Sequence, residues 1–261
     1  MKLFIVAVDE PVYMNPYVGG VIDAGGAEVV GVASYRPVAR RWSRARLRRT
    51  VAMALLAPLV FSPRNLLRAV WLRLGGTLRA AGGGSLAATC AARGVPCTTI
   101  ASANAPAFVE RLRALQVDVL LHQSPEILRG EVLRAPRIGV LNRHLSALPA
   151  YRGAWPVFWQ FRNGERQLGV TMHLVDEGID TGPVVAQLTI DRRDDDTIAS
   201  AHERLFGHAV ALTREALARL ADGQRGVRHD AASTTCYRTP SPADVLAFML
   251  GRRRSPLSVR A

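Results

Sequence analysis

The sequence of 261 residues predicts an α/β fold in which an open, mostly parallel β-sheet is covered by helices on both faces. Two observations lead to this prediction. Short apolar runs of strand length alternate along the chain with longer segments whose apolar residues recur at helical spacing. The length is also sufficient for one sizeable α/β domain with an appendage. An open parallel sheet of this kind is Rossmann-like in architecture.

Seven apolar runs mark the predicted strands. The first, at residues 3–8, follows one positive charge and ends at Asp9, so it is too short for a signal peptide and is interpreted as a buried strand. The other six runs lie at residues 29–33, 97–100, 117–122, 138–142, 170–175 and 184–190.

Helical spacing predicts the longer elements. Residues 107–115 form one such pattern after a capping residue at Asn104, and residues 197–220 form a second one. The acidic residues 194–196 suit the start of the second helix, because negative charge is favourable at the positive end of the helix dipole. A short terminal helix is predicted at residues 243–250. We therefore expect a main domain over residues 1–222 and a short C-terminal extension over residues 223–261.

The positive charge of the chain is confined to one segment. The formal net charge is +13, yet no carboxylate lies between Glu28 and Glu110, where twelve arginines fall. The rest of the chain carries twenty-two basic and twenty-one acidic residues. The basic character therefore belongs to a local element, which we interpret as a helical insertion over about residues 37–84 that ends in a flexible glycine joint at residues 82–85.

Three interpretations of this insertion stay open. Its longest apolar run, residues 51–61, contains a proline and is too short to span a bilayer. The favoured interpretation is a helical hairpin that packs on the domain or on a second subunit of a homodimer. In the second interpretation, residues 37–81 attach the protein peripherally to an anionic membrane. RNA binding is the third alternative, and the scarcity of aromatic residues among the arginines weakens it.

The cysteine and histidine patterns favour a reducing interior and no metal site. The three cysteines are odd in number and widely spaced, so they form neither a disulfide framework nor a paired zinc motif. This favours a cytoplasmic protein, with a peripheral position at the inner face of a membrane as the alternative. Five of the six histidines are interpreted as structural: His122, His173, His202, His208 and His229.

The segment that carries chemistry begins at the predicted strand 138–142. This strand delivers Asn142 and His144 to its carboxyl end, and their i, i+2 spacing places both side chains on one side of an extended backbone. Asp180 follows thirty-six residues after His144, in an acidic turn punctuated by glycine. Open α/β sheets bind ligands outside the carboxyl ends of their strands, so we expect this turn to close over the same crevice.

These three residue types suit acyl transfer to an amine. Attack on an acyl carbon places negative charge on the carbonyl oxygen, and the amide NH₂ of Asn142 can donate a hydrogen bond to it. His144 can donate a second hydrogen bond or carry a proton. Asp180 can accept the proton that an attacking amine releases. No G-x-S-x-G motif is present, so no activated serine is indicated.

The motifs N-x-H-x-S-x-L-P-x-x-R-G from Asn142 and D-x-G-x-D-T-G from Asp176 resemble the catalytic domain of the 10-formyltetrahydrofolate-dependent formyltransferases. The resemblance implies that residues 1–222 form that domain and that Asn142, His144 and Asp180 are its catalytic residues. It also implies 10-formyltetrahydrofolate as co-substrate and no metal. Two loops would hold the pterin, largely through backbone groups: Gln123, Ser124, Pro125, Glu126, Ile127 and Leu128, and Val175, Asp176, Glu177, Gly178 and Ile179.

Departures from the family pattern narrow the expected acceptor. Residues 9–15 stand where the ribonucleotide enzymes have a glycine-rich phosphate loop, and no such loop is readable here. The methionyl-tRNA enzymes carry an extra C-terminal barrel, whereas about forty residues follow the last long predicted helix. We therefore expect an amine acceptor that is small, or lipid- or nucleotide-linked, such as an amino sugar. The alternatives are a tRNA-linked amine and a non-catalytic folate-binding homologue.

Overall fold

The computed structural model describes residues 1–37, 84–230 and 235–251, together with Leu67. Nearly all of the predicted insertion at residues 37–84 lies outside these ranges, so its three interpretations stay predictions. The strands are β1 (Lys2–Ala7), β2 (Glu28–Tyr35), β3 (Cys97–Ile100), β4 (Val119–Gln123), β5 (Gly139–His144), β6 (Arg152–Gly153), β7 (Gln167–Leu174), β8 (Val184–Asp191) and β9 (Cys236–Tyr237). The helices are α1 (Met14–Asp23), α2 (Leu86–Ala91), α3 (Pro106–Ala114), α4 (Glu131–Arg134), α5 (Pro156–Arg162), α6 (Ile198–Ala221) and α7 (Pro242–Met249).

Seven of these strands form one sheet in the order β3-β2-β1-β4-β5-β7-β8. The pairs from β3 to β5 are all parallel, whereas β7 and β8 run antiparallel to their neighbours. The mostly parallel sheet is therefore confirmed. The antiparallel end follows from the short connection between β7 and β8, because a parallel pair needs a much longer crossover.

Side chains on alternate strand positions fill two separate cores. Ile5 and Leu141 belong to the larger cluster, which lies under α1, α5 and α6, and Phe4 and Val140 belong to the smaller cluster under α3. Successive residues of a strand point to opposite faces of the sheet, so buried strands must be apolar throughout. The central strands β1 and β4 are buried along nearly their whole length, which explains the apolar runs that predict them.

One predicted helix start and the end of one predicted joint differ from the structure. Helix α3 begins at Pro106 after Ala105, and the Asn104 side chain does not cap it. The Asn104 amide instead donates to the Ile127 carbonyl (3.0 Å) and accepts from the Arg129 amide (2.9 Å). Ser85, expected in a flexible joint, is the N-cap of α2, because its hydroxyl accepts from the Ala88 amide at 3.1 Å.

The strand order fixes where a ligand can bind. The strand order reverses at β1: β2 and β3 lie on one side of β1 in the sheet, and β4 and β5 lie on the other side. Such a switch point opens a crevice at the carboxyl ends of the flanking strands. The loops that follow β1 and β4 therefore border this crevice, and β5 lies next to it. Among the helices of the described ranges, none is long and apolar enough to cross a membrane.

Candidate active site

Strand β5 carries two of the predicted catalytic residues. It extends two residues beyond the predicted end, to His144, and it pairs with β4 through Asn142 opposite His122. The intervening Arg143 points to the opposite face, where its guanidinium lies over the rings of Tyr17 and Phe206. Asn142 and His144 therefore share one face of the sheet, as the alternation predicts.

Asp180 reaches these residues from the turn between β7 and β8. Because β7 is antiparallel to β5, the turn starts beside the amino-terminal half of β5, and the Val175 amide still donates to the Val140 carbonyl at 2.8 Å. The turn then folds back, and the Asp180 Oδ2 atom lies 3.5 Å from His144 Nδ1. The Gly153 amide donates to the same oxygen at 2.7 Å. Asp180 therefore lies beside His144, whose side chain shares one face of the sheet with that of Asn142.

The hydrogen bonds of His144 define which ring nitrogen faces the site. Its Nε2 atom lies 2.8 Å from the Tyr151 carbonyl, which can only accept, so Nε2 carries a proton. Burial lowers the pKa of His144, although the nearby Asp180 carboxylate opposes this shift. The ring is therefore neutral near pH 7, and its Nδ1 atom is a proton acceptor that faces Asp180.

Asp180 remains ionised in this environment. Its side chain is 13% exposed. Burial by itself would raise the pKa of Asp180, but the His144 and His173 rings and the Gly153 amide together lower it to about 2. Asp180 has a left-handed backbone conformation with φ of 51°, which aspartate tolerates better than most residues. The site thus holds a carboxylate and a neutral imidazole side by side, each able to accept a proton.

The structure also brings His173 into the site, a residue for which the sequence indicates only a structural role. His173 lies opposite Asn142 in the antiparallel pair of β5 and β7. Its Nδ1 donates to the Leu174 carbonyl (3.0 Å), and its Nε2 lies 3.3 Å from the Asn142 amide nitrogen. The same Nε2 lies 3.5 Å from Asp180 Oδ1. His173 and Asn142 are brought together by the pairing register of β5 and β7, and this register cannot be predicted from the sequence alone.

The orientation of the Asn142 amide is fixed from both ends. Gln123 Nε2 donates to Asn142 Oδ1 at 3.3 Å, and the Asn142 NH₂ group contacts His173 Nε2. The oxygen is thus held toward β4, and the donor NH₂ group is turned toward His173. Gln123, predicted as a pterin-loop residue, therefore contacts the amide that the sequence predicts to be catalytic.

The first predicted pterin loop is braced by Glu126. The Glu126 carboxylate accepts from the Ser102 hydroxyl, from the Ala103 amide at 2.7 Å and from the Asn104 side chain at 3.1 Å. Its oxygens are therefore engaged within the protein. The role of this loop in holding a pterin stays a prediction.

The second predicted pterin loop is braced in the same manner. Asp176 Oδ1 accepts from the Gly178 amide at 3.0 Å and from the Thr181 hydroxyl at 2.5 Å. Each of the two loops exposes one large apolar side chain, Ile127 at 52% and Ile179 at 46%. Exposed apolar groups on a braced loop suit contact with a flat, largely apolar ring system.

Two further residues of the first predicted pterin loop have structural contacts. Leu128 is buried in the smaller core, and Ser124 contacts His122 Nε2 at 2.8 Å. Burial lowers the pKa of His122 to about 4. Within residues 1–37, 84–230 and 235–251, no group of three or more histidine, cysteine, aspartate or glutamate side chains is arranged to hold a metal ion.

Comparison with known proteins gives three findings. A sequence model of the family described as formyl transferase matches residues 71–217. A methionyl-tRNA formyltransferase of Caldanaerobacter subterraneus subsp. tengcongensis is 35% identical over 122 residues, which are 46% of this chain and 40% of that protein. The corresponding protein of Phenylobacterium zucineum is 39% identical over 133 residues, 51% of this chain and 43% of that protein. The chain thus spans less than half the length of these relatives.

Solved structures share the fold. A glycinamide ribonucleotide transformylase 1 from Symbiobacterium toebii has a TM-score of 0.61 at 20% identity, covering 87% of this chain and 93% of that one. A sugar N-formyltransferase from a Shewanella species has a TM-score of 0.57 at 16% identity, covering 91% of this chain and 76% of that one. At these identities the likeness concerns the fold alone.

Proposed function

The chain belongs to the formyl transferase family, and from this premise we propose that it moves a formyl group from 10-formyltetrahydrofolate to the primary amine of a small acceptor. One observation carries the proposal: Asp180 lies within 3.5 Å of both His144 and His173, and His173 contacts the Asn142 amide at 3.3 Å. An amide donor and two proton acceptors thus surround one small space.

Each side chain has a defined part in the proposed reaction. When the amine attacks the formyl carbon, negative charge develops on the formyl oxygen, and the Asn142 NH₂ group donates a hydrogen bond to that oxygen. The amine nitrogen gains positive charge and must lose a proton. The neutral Nδ1 of His144 accepts this proton, either directly or from the Asp180 carboxylate, and the ring then gives it to the folate nitrogen as the bond from that nitrogen to the formyl carbon breaks. Neither a metal nor a covalent enzyme intermediate is required.

The loops after β4 and β7 support folate as the formyl donor. Their carboxylates, Glu126 and Asp176, are engaged in bracing hydrogen bonds, so both loops have fixed backbones before any ligand binds. Rigid backbone amides and carbonyls match the donors and acceptors on the edge of a pterin, and Ile127 and Ile179 offer apolar contact to its faces.

The loop after β1 argues against an acceptor that is anchored by a phosphate at the start of α1. A helix N-terminus normally offers unpaired amides to an anion. Here the Glu10 carboxylate already accepts from the amides of Val12 (2.7 Å), Tyr13 (2.8 Å) and Met14 (3.1 Å). The protein's own carboxylate thus takes the place that a phosphate would need, which favours an amine such as that of an amino sugar, with any charged group held elsewhere.

A tRNA-linked amine is the second candidate. It is favoured by the curated relatives, whose names assign them methionyl-tRNA as acceptor. Assay of the full chain with labelled 10-formyltetrahydrofolate and three acceptors separates the candidates: nucleotide-linked amino sugars, free amino acids and aminoacylated initiator tRNA. We expect label on an amino sugar and none on tRNA. Transfer to tRNA alone would refute the amino-sugar acceptor and leave formyl transfer in place.

Membrane attachment is one of the interpretations proposed for the insertion at about residues 37–84. In this interpretation the insertion binds anionic membrane and does not pack on the domain or on a second subunit. Flotation with vesicles that contain anionic lipid tests this, using the full chain and a variant in which Arg44, Arg46, Arg48 and Arg49 are replaced by glutamine. Each arginine near an anionic surface contributes about 1 kcal/mol to binding. Equal flotation of the two proteins would reject membrane attachment.

A further inference from the structure

One short loop, residues 151–154, fixes the distance between two of the catalytic side chains. The Tyr151 carbonyl accepts from His144 Nε2 at 2.8 Å, and the Gly153 amide donates to Asp180 Oδ2 at 2.7 Å. The ring and the carboxylate are thus held by backbone groups that are two residues apart. The 3.5 Å separation of His144 and Asp180 depends on the conformation of this loop.

This conformation is not one that the loop would adopt unaided. Tyr151 and Gly153 both have left-handed backbones, with φ of 60° and 91°. For a residue with a side chain, this region costs about 1–2 kcal/mol. The loop therefore needs support from elsewhere in the chain to stay in the geometry that aligns the site.

The backbone of the C-terminal extension gives part of that support. Strand β9 pairs in parallel with β6, so that Tyr237 lies beside Gly153, and the Tyr237 carbonyl accepts from the Ala154 amide at 2.8 Å. The approach is very close: a Cβ atom at position 153 would lie 2.1 Å from the Tyr237 carbonyl oxygen. Only glycine fits at this position.

The Tyr237 side chain provides the other part. Its ring is stacked between the rings of Tyr151 (centroids 5.3 Å apart) and Trp159 (4.9 Å). The Asn163 amide donates to the hydroxyls of both tyrosines, at 3.0 Å to Tyr237 and 3.1 Å to Tyr151. Trp159 Nε1 donates to the Arg238 carbonyl at 3.1 Å. The ring of Tyr237 thus ties Tyr151, which holds His144, to helix α5.

We propose that Tyr237 is a positioning residue for formyl transfer, and that strand β9 acts as a clamp on residues 151–154 that sets the spacing of His144 and Asp180. None of the contacts above joins Tyr237 to a catalytic side chain, so it acts through the loop. Residues 236–238 lie outside the part of the chain that matches the family, which ends at residue 217. The inference rests on the proposed function.

The test compares three variants of the full chain. Tyr237→Ala removes the ring, Tyr237→Phe keeps the stack and loses only the contact with Asn163, and Phe248→Ala is the matched control. Phe248 belongs to the same extension and packs on Phe158 of helix α5 (5.5 Å between centroids), and it has none of the contacts with residues 151–154 described above. Should Tyr237→Ala fail to fold, Trp159→Phe, which removes the bond to the Arg238 carbonyl, takes its place.

We expect kcat of Tyr237→Ala to fall roughly ten- to a hundredfold, because displacements of about 1 Å in a catalytic group have effects of this size. KM for 10-formyltetrahydrofolate should stay within about twofold, since the pterin loops are braced separately. Tyr237→Phe should keep most of the activity. Phe248→Ala should lower the melting temperature without changing kcat. Equal kcat for Tyr237→Ala and Phe248→Ala at equal folded fraction would overturn the proposal.

A second readout does not need activity. The titration of the His144 ring, followed by NMR, reports on its enclosure and on the Asp180 and Tyr151 groups that contact it. We expect the midpoint to move by about half a pH unit or more in Tyr237→Ala and to stay unchanged in Phe248→Ala. An unchanged midpoint in Tyr237→Ala would refute the positioning role of Tyr237, whether or not the wild-type chain transfers a formyl group. Absence of formyl transfer by the wild-type chain would instead refute the proposed function.

Discussion

His173 shows that the proposed active site includes a residue outside both sequence motifs. Its Nε2 atom lies 3.3 Å from the Asn142 amide nitrogen and 3.5 Å from Asp180 Oδ1, so the ring helps to hold the amide in place. We expect His173→Ala to lower kcat/KM roughly tenfold to a hundredfold while the fold is retained. Steady-state kinetics with far-UV circular dichroism checks this, and His208→Ala, an exposed histidine of α6, is the control. Equal kinetics for both variants would contradict the role given to His173.

Arg143 is a buried cation that the site does not use. Among the described residues, its Nε and Nη1 atoms have no hydrogen-bond partner, and its guanidinium lies 4.3 Å from the Tyr17 ring and 3.9 Å from the Phe206 ring. Burial lowers the pKa of Arg143 to about 10. The free-energy cost of removing a charge from water exceeds the stabilisation that cation–π contact provides. Replacing buried charges by apolar side chains is therefore often neutral or stabilising.

We therefore expect Arg143→Met to raise the free energy of unfolding by about 1 kcal/mol. Urea denaturation at pH 7 measures this directly. The activity should remain close to wild type, because the side chain lies on the face of the sheet opposite Asn142 and His144. A loss of stability greater than about 1 kcal/mol would indicate that the two ring contacts outweigh the cost of burying the charge.

The proposed catalytic residues can be selected from the sequence because they lie in two local motifs, but the residues that orient them cannot. Asn142, His144 and Asp180 are recognisable by type and spacing. His173 and Tyr237 act through strand register and a pairing of β6 with β9, and these relations join segments that are thirty-one and more than eighty residues apart. No periodicity in the sequence encodes such pairings.

The first turn of helix α1 is capped by a single side chain. The Glu10 carboxylate accepts from the amides of Val12, Tyr13 and Met14, and the residue before the helix, Tyr13, offers no side-chain cap. We expect Glu10→Ala to lower the free energy of unfolding by about 1–2 kcal/mol, since it removes the cap of the first turn. Chemical denaturation measures the loss, and Glu203→Ala, an exposed acid within α6, is the control. Similar losses in both variants would contradict the capping role.

Several elements could not be predicted from the sequence, each for its own physical reason. Helix α1 contains Gly19 and Gly20, which lower helix propensity, and it is stabilised by burying Tyr17 and Val18 against the sheet. Helix α5 is buried on nearly every side, so it lacks the polar face that marks an amphipathic helix. Strands β6 and β9 have two residues each, too few for any alternation. The buried parallel strands, by contrast, were apparent as apolar runs.

The whole molecule should lose stability as the pH falls below about 6.5, the ordinary pKa of histidine. Burial lowers the pKa of His122 to about 4, and burial with the nearby Arg143 charge lowers that of His202 to about 3. Burial also lowers the pKa of His144. In this range the unfolded chain binds protons that the folded chain cannot, so stability rises with pH.

Calorimetric melting temperatures between pH 8 and pH 4.5 check this prediction. We expect a nearly constant value above pH 7 and a progressive decrease below pH 6.5. The Asp180 carboxylate should not contribute to this decrease, because its pKa of about 2 keeps it ionised throughout the range. Replacing His202 by phenylalanine should flatten the decrease. A melting temperature that rises on acidification would contradict the buried neutral state of these rings.

The proposed formyl transfer requires Asn142, His144 and Asp180 to act together on one formyl group. The most direct measurement is the transfer of labelled formyl from 10-formyltetrahydrofolate to an amine acceptor by the wild-type chain and by Asn142→Ala under identical conditions. We predict transfer by the wild type and a rate about a hundred- to a thousandfold lower in the variant, the effect of removing one donor to the developing oxyanion. Equal rates in the two proteins would contradict the account.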